Sequence, residues 1–86
     1  MEMFYVYILK CSDGTLYCGY TNNPEKRFEK HSCGKGAKYT RARLPLELVY
    51  TEECETKSEA MKREYEIKKM SREYKIRLIE EKGKTV

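Results

Sequence analysis

Apolar and polar positions are most clearly patterned near the N-terminus, where the stretch YVYILKCSDGTLYCGY runs from Tyr5 to Tyr20. Two runs rich in Tyr, Val, Ile and Leu flank Ser12-Asp13-Gly14, and a glycine-containing break between such runs signals a β-hairpin. Tyr5, Tyr7 and Tyr17 all occupy odd positions, so which of them share a face depends on the loop. A three-residue loop with Gly14 at positive φ pairs Cys11 with Thr15, sets Tyr7 opposite Gly19 and puts Tyr7 and Tyr17 on one face. A two-residue Asp13-Gly14 loop instead pairs Tyr7 with Tyr20 and turns Tyr17 away, because a one-residue slip exchanges faces.

Beyond the hairpin, Thr21-Asn22-Asn23-Pro24 supplies a loop, a cap and a first-turn proline, with Glu25 behind it. A helix is expected from there to His31 or Ser32, stopping before Gly34 and Gly36. Arg27 and His31 share one of its faces, and Phe28 points nearer the core. The basic stretch from Lys35 to Arg43 reads as a loop with one short helix near Ala37 to Ala42. After Pro45, the residues Leu46, Leu48 and Val49-Tyr50 fit a third strand reaching towards Cys54.

Thr56-Lys57-Ser58-Glu59 matches a capping box and opens a helix of about thirteen residues. Its apolar stripe is Ala60, Met61, Tyr65 and Ile67, with Lys68 alongside. Glu64 falls inside that stripe, where a carboxylate needs a partner or a metal; an edge position paired to a nearby Lys or Arg is the plain reading. Ser71 caps a last helix to about Glu81, with Tyr74, Leu78 and Ile79 as its packing side, Gly83 as its stop and Lys84-Thr85-Val86 fraying. The order β-β-α-(α)-β-α-α places the chain in the α/β class of the α+β type.

Composition adds limits. Eighty-six residues with 37% charged and 40% hydrophobic side chains suit one globular domain over 1–86, its core at about 3–82. No apolar run approaches the roughly 18 residues of a membrane span, and Met1-Glu2-Met3 offers no export signal, so a cytoplasmic protein without membrane contact is expected. Cys11, Cys18, Cys33 and Cys54 form no Cys-x-x-Cys pair and read as reduced, mostly buried thiols; His31 and Cys33 without a second close pair are a weak zinc signal.

Charge changes the picture more. The net charge is +4, yet Lys26, Arg27, Lys30, Lys35, Lys38, Arg41 and Arg43 crowd one segment with Glu29 as its sole acid. With Tyr39 and His31 interleaved, this is the footprint of a phosphate-backbone binder, against the plain reading of a solubilising surface.

Taken together, Tyr5-Val6-Tyr7, the ten-residue step to Tyr17, Tyr17-Cys18-Gly19, Arg27 with His31 one turn later, and Glu64 in an apolar helix face resemble the GIY-YIG nuclease family. The likeness spans nearly the whole chain and is strongest to the small stand-alone bacterial members. Tyr5 stands where the family has the first glycine, and Cys18 where it has isoleucine. Neither substitution removes a catalytic group, and both suit a strand.

The resemblance implies a three-stranded antiparallel sheet flanked by helices, with a phosphodiester-cleaving site on one sheet face. It favours the three-residue loop, with Tyr7 and Tyr17 both directed towards Arg27 and Glu64. Tyr7, Tyr17, Arg27, His31 and Glu64 become the candidate catalytic residues, Gly19 the structural glycine, and Glu64 the ligand of one Mg²⁺ or Mn²⁺. Arg27 offers a fork for the scissile phosphate. Tyr7 is expected to activate water, with nearby cations lowering its pKa, while Tyr17 and His31 orient it or relay protons. Lys26, Lys30, Lys35, Lys38, Arg41 and Arg43 are the candidate nucleic-acid contacts. The implied function is metal-dependent cleavage of nucleic acid, DNA favoured over RNA, in repair or turnover; the alternative is a non-cleaving nucleic-acid-binding module. No obligate protein partner is inferred.

Overall fold

The hairpin takes the three-residue loop. In the computed structural model, which describes residues 3–83, β1 (Phe4–Lys10) pairs antiparallel with β2 (Leu16–Thr21), and Tyr7 lies opposite Gly19. Gly14 adopts φ 84°, the left-handed geometry that the loop needs, and the Cys11 amide donates to Thr15 O at 2.8 Å. Asp13 accepts from both the amide and the hydroxyl of Thr15, stiffening the turn. On its other side β1 pairs antiparallel with β3 (Glu47–Cys54), so the sheet order is β2-β1-β3 and β2 is an edge strand.

Strand alternation divides the side chains between two faces. Val6, Ile8, Cys18, Tyr50 and Cys54 line one, and the helix α3 (Lys57–Lys68) buries Ala60 and Ile67 against them. Helix α4 (Arg72–Leu78) and a π-helical turn (Ile79–Gly83) complete that layer through Leu78 and Ile79. Tyr7, Leu9, Tyr17 and Gly19 belong to the opposite face, where α1 (Pro24–Ser32) and α2 (Lys38–Arg41) bring His31 and Thr40. The result is a three-stranded antiparallel sheet flanked by helices, an α+β fold.

Local chemistry explains the helix starts. Asn23 Oδ1 accepts from the Lys26 amide and Pro24 opens α1, as its sequence predicts. Thr56 Oγ1 accepts from the Glu59 amide, but Glu59 Oε1 reaches back to the amide of Glu55 rather than that of Thr56. The box therefore closes one residue earlier than its usual pattern. Ser71 caps α4 through the Tyr74 amide.

Three expected packing residues face outwards. Met61, Tyr65 and Tyr74 are 49%, 62% and 59% exposed. The inward line of α3 is Ala60, Glu64 and Ile67, at i, i+4 and i+7, and residues one position further round face solvent. Tyr65 and Tyr74 instead carry Lys69 and Arg77 cations over their rings, at 4.8 and 5.8 Å. The expected fraying of Lys84-Thr85-Val86 lies outside the described residues.

An ionic brace sets the position of α3. Arg63 Nε donates to both carboxylate oxygens of Glu52 at 3.1 and 3.0 Å, and its Nη1 donates to Glu66. The Tyr50 hydroxyl donates to the same Glu52 at 2.5 Å. The hydroxyl gains from a carboxylate it would lose charge against, so burial and Glu52 push the Tyr50 phenol up to about 12.

Candidate active site

An open cavity of about 440 Å³ straddles the β2 edge. Tyr7, Tyr17, Gly19 and Thr21 line it from one face of the sheet, and Phe4 and Tyr20 from the other. Arg27 enters from α1, and Glu64 and Lys57 from α3. Tyr7 and Tyr17 thus share a face, as the favoured register requires, with ring centroids 6.5 Å apart. The single-face picture of the site needs correction: α3 packs on the reverse side, and Glu64 joins the tyrosines around β2, which has no outer neighbour among the described residues.

Gly19 makes the arrangement sterically possible. The Tyr7 ring crosses it so closely that a Cβ would meet the hydroxyl and the adjoining ring carbons. Beyond Gly19 the Tyr7 hydroxyl meets His31 Nε2 at 3.1 Å, and His31 Nδ1 meets Thr40 Oγ1 at 2.8 Å. A second glycine closes this side: a Cβ on Gly36 would collide with the His31 ring. Both rings therefore sit directly against glycine backbone.

The electrostatics differ from the expected lowering of Tyr7. Burial, followed by Tyr17, pushes its phenol up to about 12, and Arg27 opposes this through its charge and hydrogen bonding without winning. His31 is held below its ordinary value by burial first, then by Arg27 and Lys30. A protonated tyrosine therefore faces a neutral imidazole at neutral pH. On the reverse face, Cys18 is pushed up to about 12 by burial and by the nearby Glu64, which fits an inert core thiol.

These residues lie within a stretch that matches a known family: residues 3–77 match the family model of the GIY-YIG catalytic domain. The chain belongs to the GIY-YIG family. It is 58% identical over 82 residues to a UPF0213 protein of Staphylococcus aureus, covering 95% of this chain and all of that relative. The solution structure of a UPF0213 protein from Bacillus halodurans superposes with a TM-score of 0.63 at 51% identity, over 96% of this chain and 88% of the other. The solution structure of the protein EF2693 from E. faecalis gives 0.59 at 43% identity, over 91% of this chain and 88% of the other.

Within this GIY-YIG chain the six expected nucleic-acid cations separate. Lys30 and Lys35 line a smaller cavity of about 260 Å³ that shares Tyr17 and Arg27 with the first and adjoins His31. Lys26, Lys38 and Arg41 are exposed and line neither cavity. Arg43 is engaged internally: its Nε donates to Asp13 at 3.0 Å, its Nη1 to Tyr39 O at 2.9 Å, and its guanidinium lies 3.9 Å from the Tyr39 ring centre. Tyr39 in turn stacks on Tyr17, with centroids 6.0 Å apart. The basic segment thus serves partly to tie the hairpin loop to the wall of the site.

The lining and supporting residues that escaped the sequence reading include Lys57 and Thr40. Lys57 stands seven positions before Glu64, two helical turns along one face, and that spacing is a signal for it. Thr40 has no such periodic link to His31; only the chain path over the sheet joins them.

Among the described residues Glu64 is the sole carboxylate on the main cavity, and its Oε2 lies 3.6 Å from Lys68 Nζ, a pair with 21% and 52% exposed side chains. The pairing reading and the site reading therefore both apply to it. Among the described residues no group of three His, Cys, Asp or Glu side chains gathers to hold a metal. One carboxylate beside open volume is a donor set for a hard divalent cation that keeps most of its waters, and not for a cation held wholly by protein.

Proposed function

We propose that this protein hydrolyses phosphodiester bonds in DNA with a divalent cation, Mg²⁺ or Mn²⁺, held by Glu64. The observation that carries the reading is one cavity lined by Tyr7, Tyr17 and Arg27 from one side of the sheet and Glu64 from the other. Family membership supports a nuclease, and GIY-YIG nucleases are generally metal-dependent.

Each residue has a role suited to its chemistry. Arg27 presents a planar fork to the scissile phosphate. Lys57 adds positive charge at the opposite wall of the cavity. Tyr7 contacts the attacking water and takes up its proton while releasing its own to His31, and Tyr17 holds that water in place. The cation, when bound, neutralises charge on the phosphoryl and leaving oxygens. Lys30 and Lys35 receive the neighbouring phosphate in the adjoining cavity, so the strand crosses Tyr17 between the two. Repair or turnover of DNA is the proposed setting.

The test is incubation with branched, single-stranded and duplex oligonucleotides in Mg²⁺ or Mn²⁺. Wild type should cleave at least one shape, and Glu64→Ala should lose at least about a hundredfold in rate. Equal background from both proteins would refute hydrolysis, and binding retained by both would then point to a non-cleaving module.

A further inference from the structure

We infer that Thr40 is a positioning residue that holds His31 in its Nδ1-protonated form, leaving His31 Nε2 to receive the proton of Tyr7. The catalytic consequence rests on the nuclease reading above, whereas the tautomer does not.

The assignment follows from counting hydrogens along a buried chain. Thr40 Oγ1 lies 3.0 Å from the Ala37 carbonyl and 2.8 Å from His31 Nδ1, and His31 Nε2 lies 3.1 Å from Tyr7 Oη. The Ala37 carbonyl has no hydrogen to give, so the Thr40 hydroxyl donates to it. Thr40 Oγ1 is then an acceptor, His31 Nδ1 must carry the hydrogen, and Nε2 presents its lone pair to the Tyr7 hydroxyl. In the reverse arrangement Thr40 donates to Nδ1, and two acceptor oxygens face each other at 3.0 Å. Nε2–H would then point at Tyr7 Oη, whose own hydrogen has no partner among these groups.

Packing makes the chain rigid. Thr40 is 0% and His31 1% exposed, and the His31 ring lies directly against Gly36, where a Cβ would collide with it. Thr40 and Arg41 amides also donate to Ala37 O, which anchors the terminal acceptor in the backbone of α2.

For hydrolysis the chain gives a directed relay. As a water O–H bond breaks, its proton passes to Tyr7 Oη while the Tyr7 proton passes to His31 Nε2. The water oxygen forms its bond to phosphorus as the bond to the leaving oxygen breaks. The leaving oxygen takes a proton from solvent, and the imidazolium later returns one, so Tyr7 never has to persist as a phenolate.

His31 is the chain's single histidine, so its ring nitrogens can be read without ambiguity by long-range ¹H–¹⁵N correlation. Wild type and Thr40→Ser should show the Nδ1–H form, and Thr40→Val a mixed or Nε2–H form. In the cleavage assay Thr40→Val should lose about 10- to 100-fold in kcat with KM little changed, and Thr40→Ser should recover most of it. An Nε2–H ring in wild type, or a Thr40→Val ring unchanged from wild type, overturns the inference. Absence of cleavage by wild type with the Nδ1–H ring present refutes the nuclease reading and leaves the tautomer assignment supported.

Discussion

The Tyr7 hydroxyl crosses Gly19 so closely that a Cβ there would stand 2.5 Å from Oη and 2.7 Å from Cζ. Tyr7 is 2% exposed and hydrogen-bonded to His31, so its ring has little freedom to yield. Gly19→Ala should therefore destabilise by about 1–3 kcal/mol through overpacking. It should also lower the cleavage rate more than it weakens DNA binding, because the displaced group is the one that the proposed function assigns to the attacking water. Urea denaturation and single-turnover cleavage check this; a Gly19→Ala protein with wild-type stability and rate would show that Tyr7 can move freely.

The brace beneath Glu64 yields a second expectation. Arg63 grips Glu52 with two hydrogen bonds and also reaches Glu66, at side-chain exposures of 26%, 31% and 56%. Removing Arg63 strips the half-buried Glu52 carboxylate of its charged partner and leaves it the Tyr50 hydroxyl as donor. Arg63→Ala should destabilise by about 1–3 kcal/mol, and should reduce cleavage although Arg63 does not line the main cavity. The Glu64–Lys68 pair is longer, at 3.6 Å, and its lysine is 52% exposed, so Lys68→Ala should change stability by no more than about 1 kcal/mol. Melting of the two variants side by side distinguishes the brace from the surface pair.

Acid should loosen the fold through His31. Its folded value lies below its ordinary 6.5 because of burial, Arg27 and Lys30, so the unfolded chain binds this proton more readily. Stability linked to neutral His31 is then full above 6.5 and is lost as pH falls through that value towards the depressed folded one. The groups facing the ring are Tyr7 from β1, Tyr17 from β2, Arg27 and Lys30 on α1, and Lys35 and Thr40 beyond it. None of them supplies a carboxylate to offset the charge. Asp13 is held below its ordinary 3.8, chiefly by Thr15, so it acts in a lower range. Denaturation midpoints should fall between about pH 7 and pH 5 in wild type and less so in His31→Gln; parallel profiles would exclude His31 as the cause.

Much of this was legible because local rules and the fold agree. The hairpin residues allowed two registers, the family resemblance favoured the three-residue loop, and the structure takes it, with Gly14 at positive φ and Tyr7 and Tyr17 on one face. Pro24 and Thr56 marked helix starts that the structure keeps. The errors arose where tertiary contacts outweigh periodicity. Ala60 lets α3 approach the sheet closely, which narrows its inward stripe and expels Met61 and Tyr65. That Glu64 reaches the tyrosines around a strand edge depends on sheet order, which strand patterns do not encode. Thr40 and Arg43 reveal their roles only through contacts nine and thirty positions away.

The divided basic segment gives the last test, since phosphate contacts and internal ties respond differently to salt. Lys30 and Lys35 line the smaller cavity beside Arg27, without an acidic group in its wall. If each meets one phosphate, Lys30→Ala and Lys35→Ala should each reduce the log–log salt slope of DNA binding by about 0.7 for a single strand or 0.9 for a duplex. Arg43 is committed to Asp13, Tyr39 O and the Tyr39 ring, so Arg43→Met should leave the slope near wild type. Its effect should appear in stability, by detaching the hairpin loop from the segment that follows α2. Fluorescence anisotropy titrations between about 50 and 200 mM salt span a sufficient range. Equal slopes in wild type and both lysine variants would remove the smaller cavity from the path of the strand, and a large slope change in Arg43→Met would mean that its guanidinium leaves Asp13 to bind phosphate.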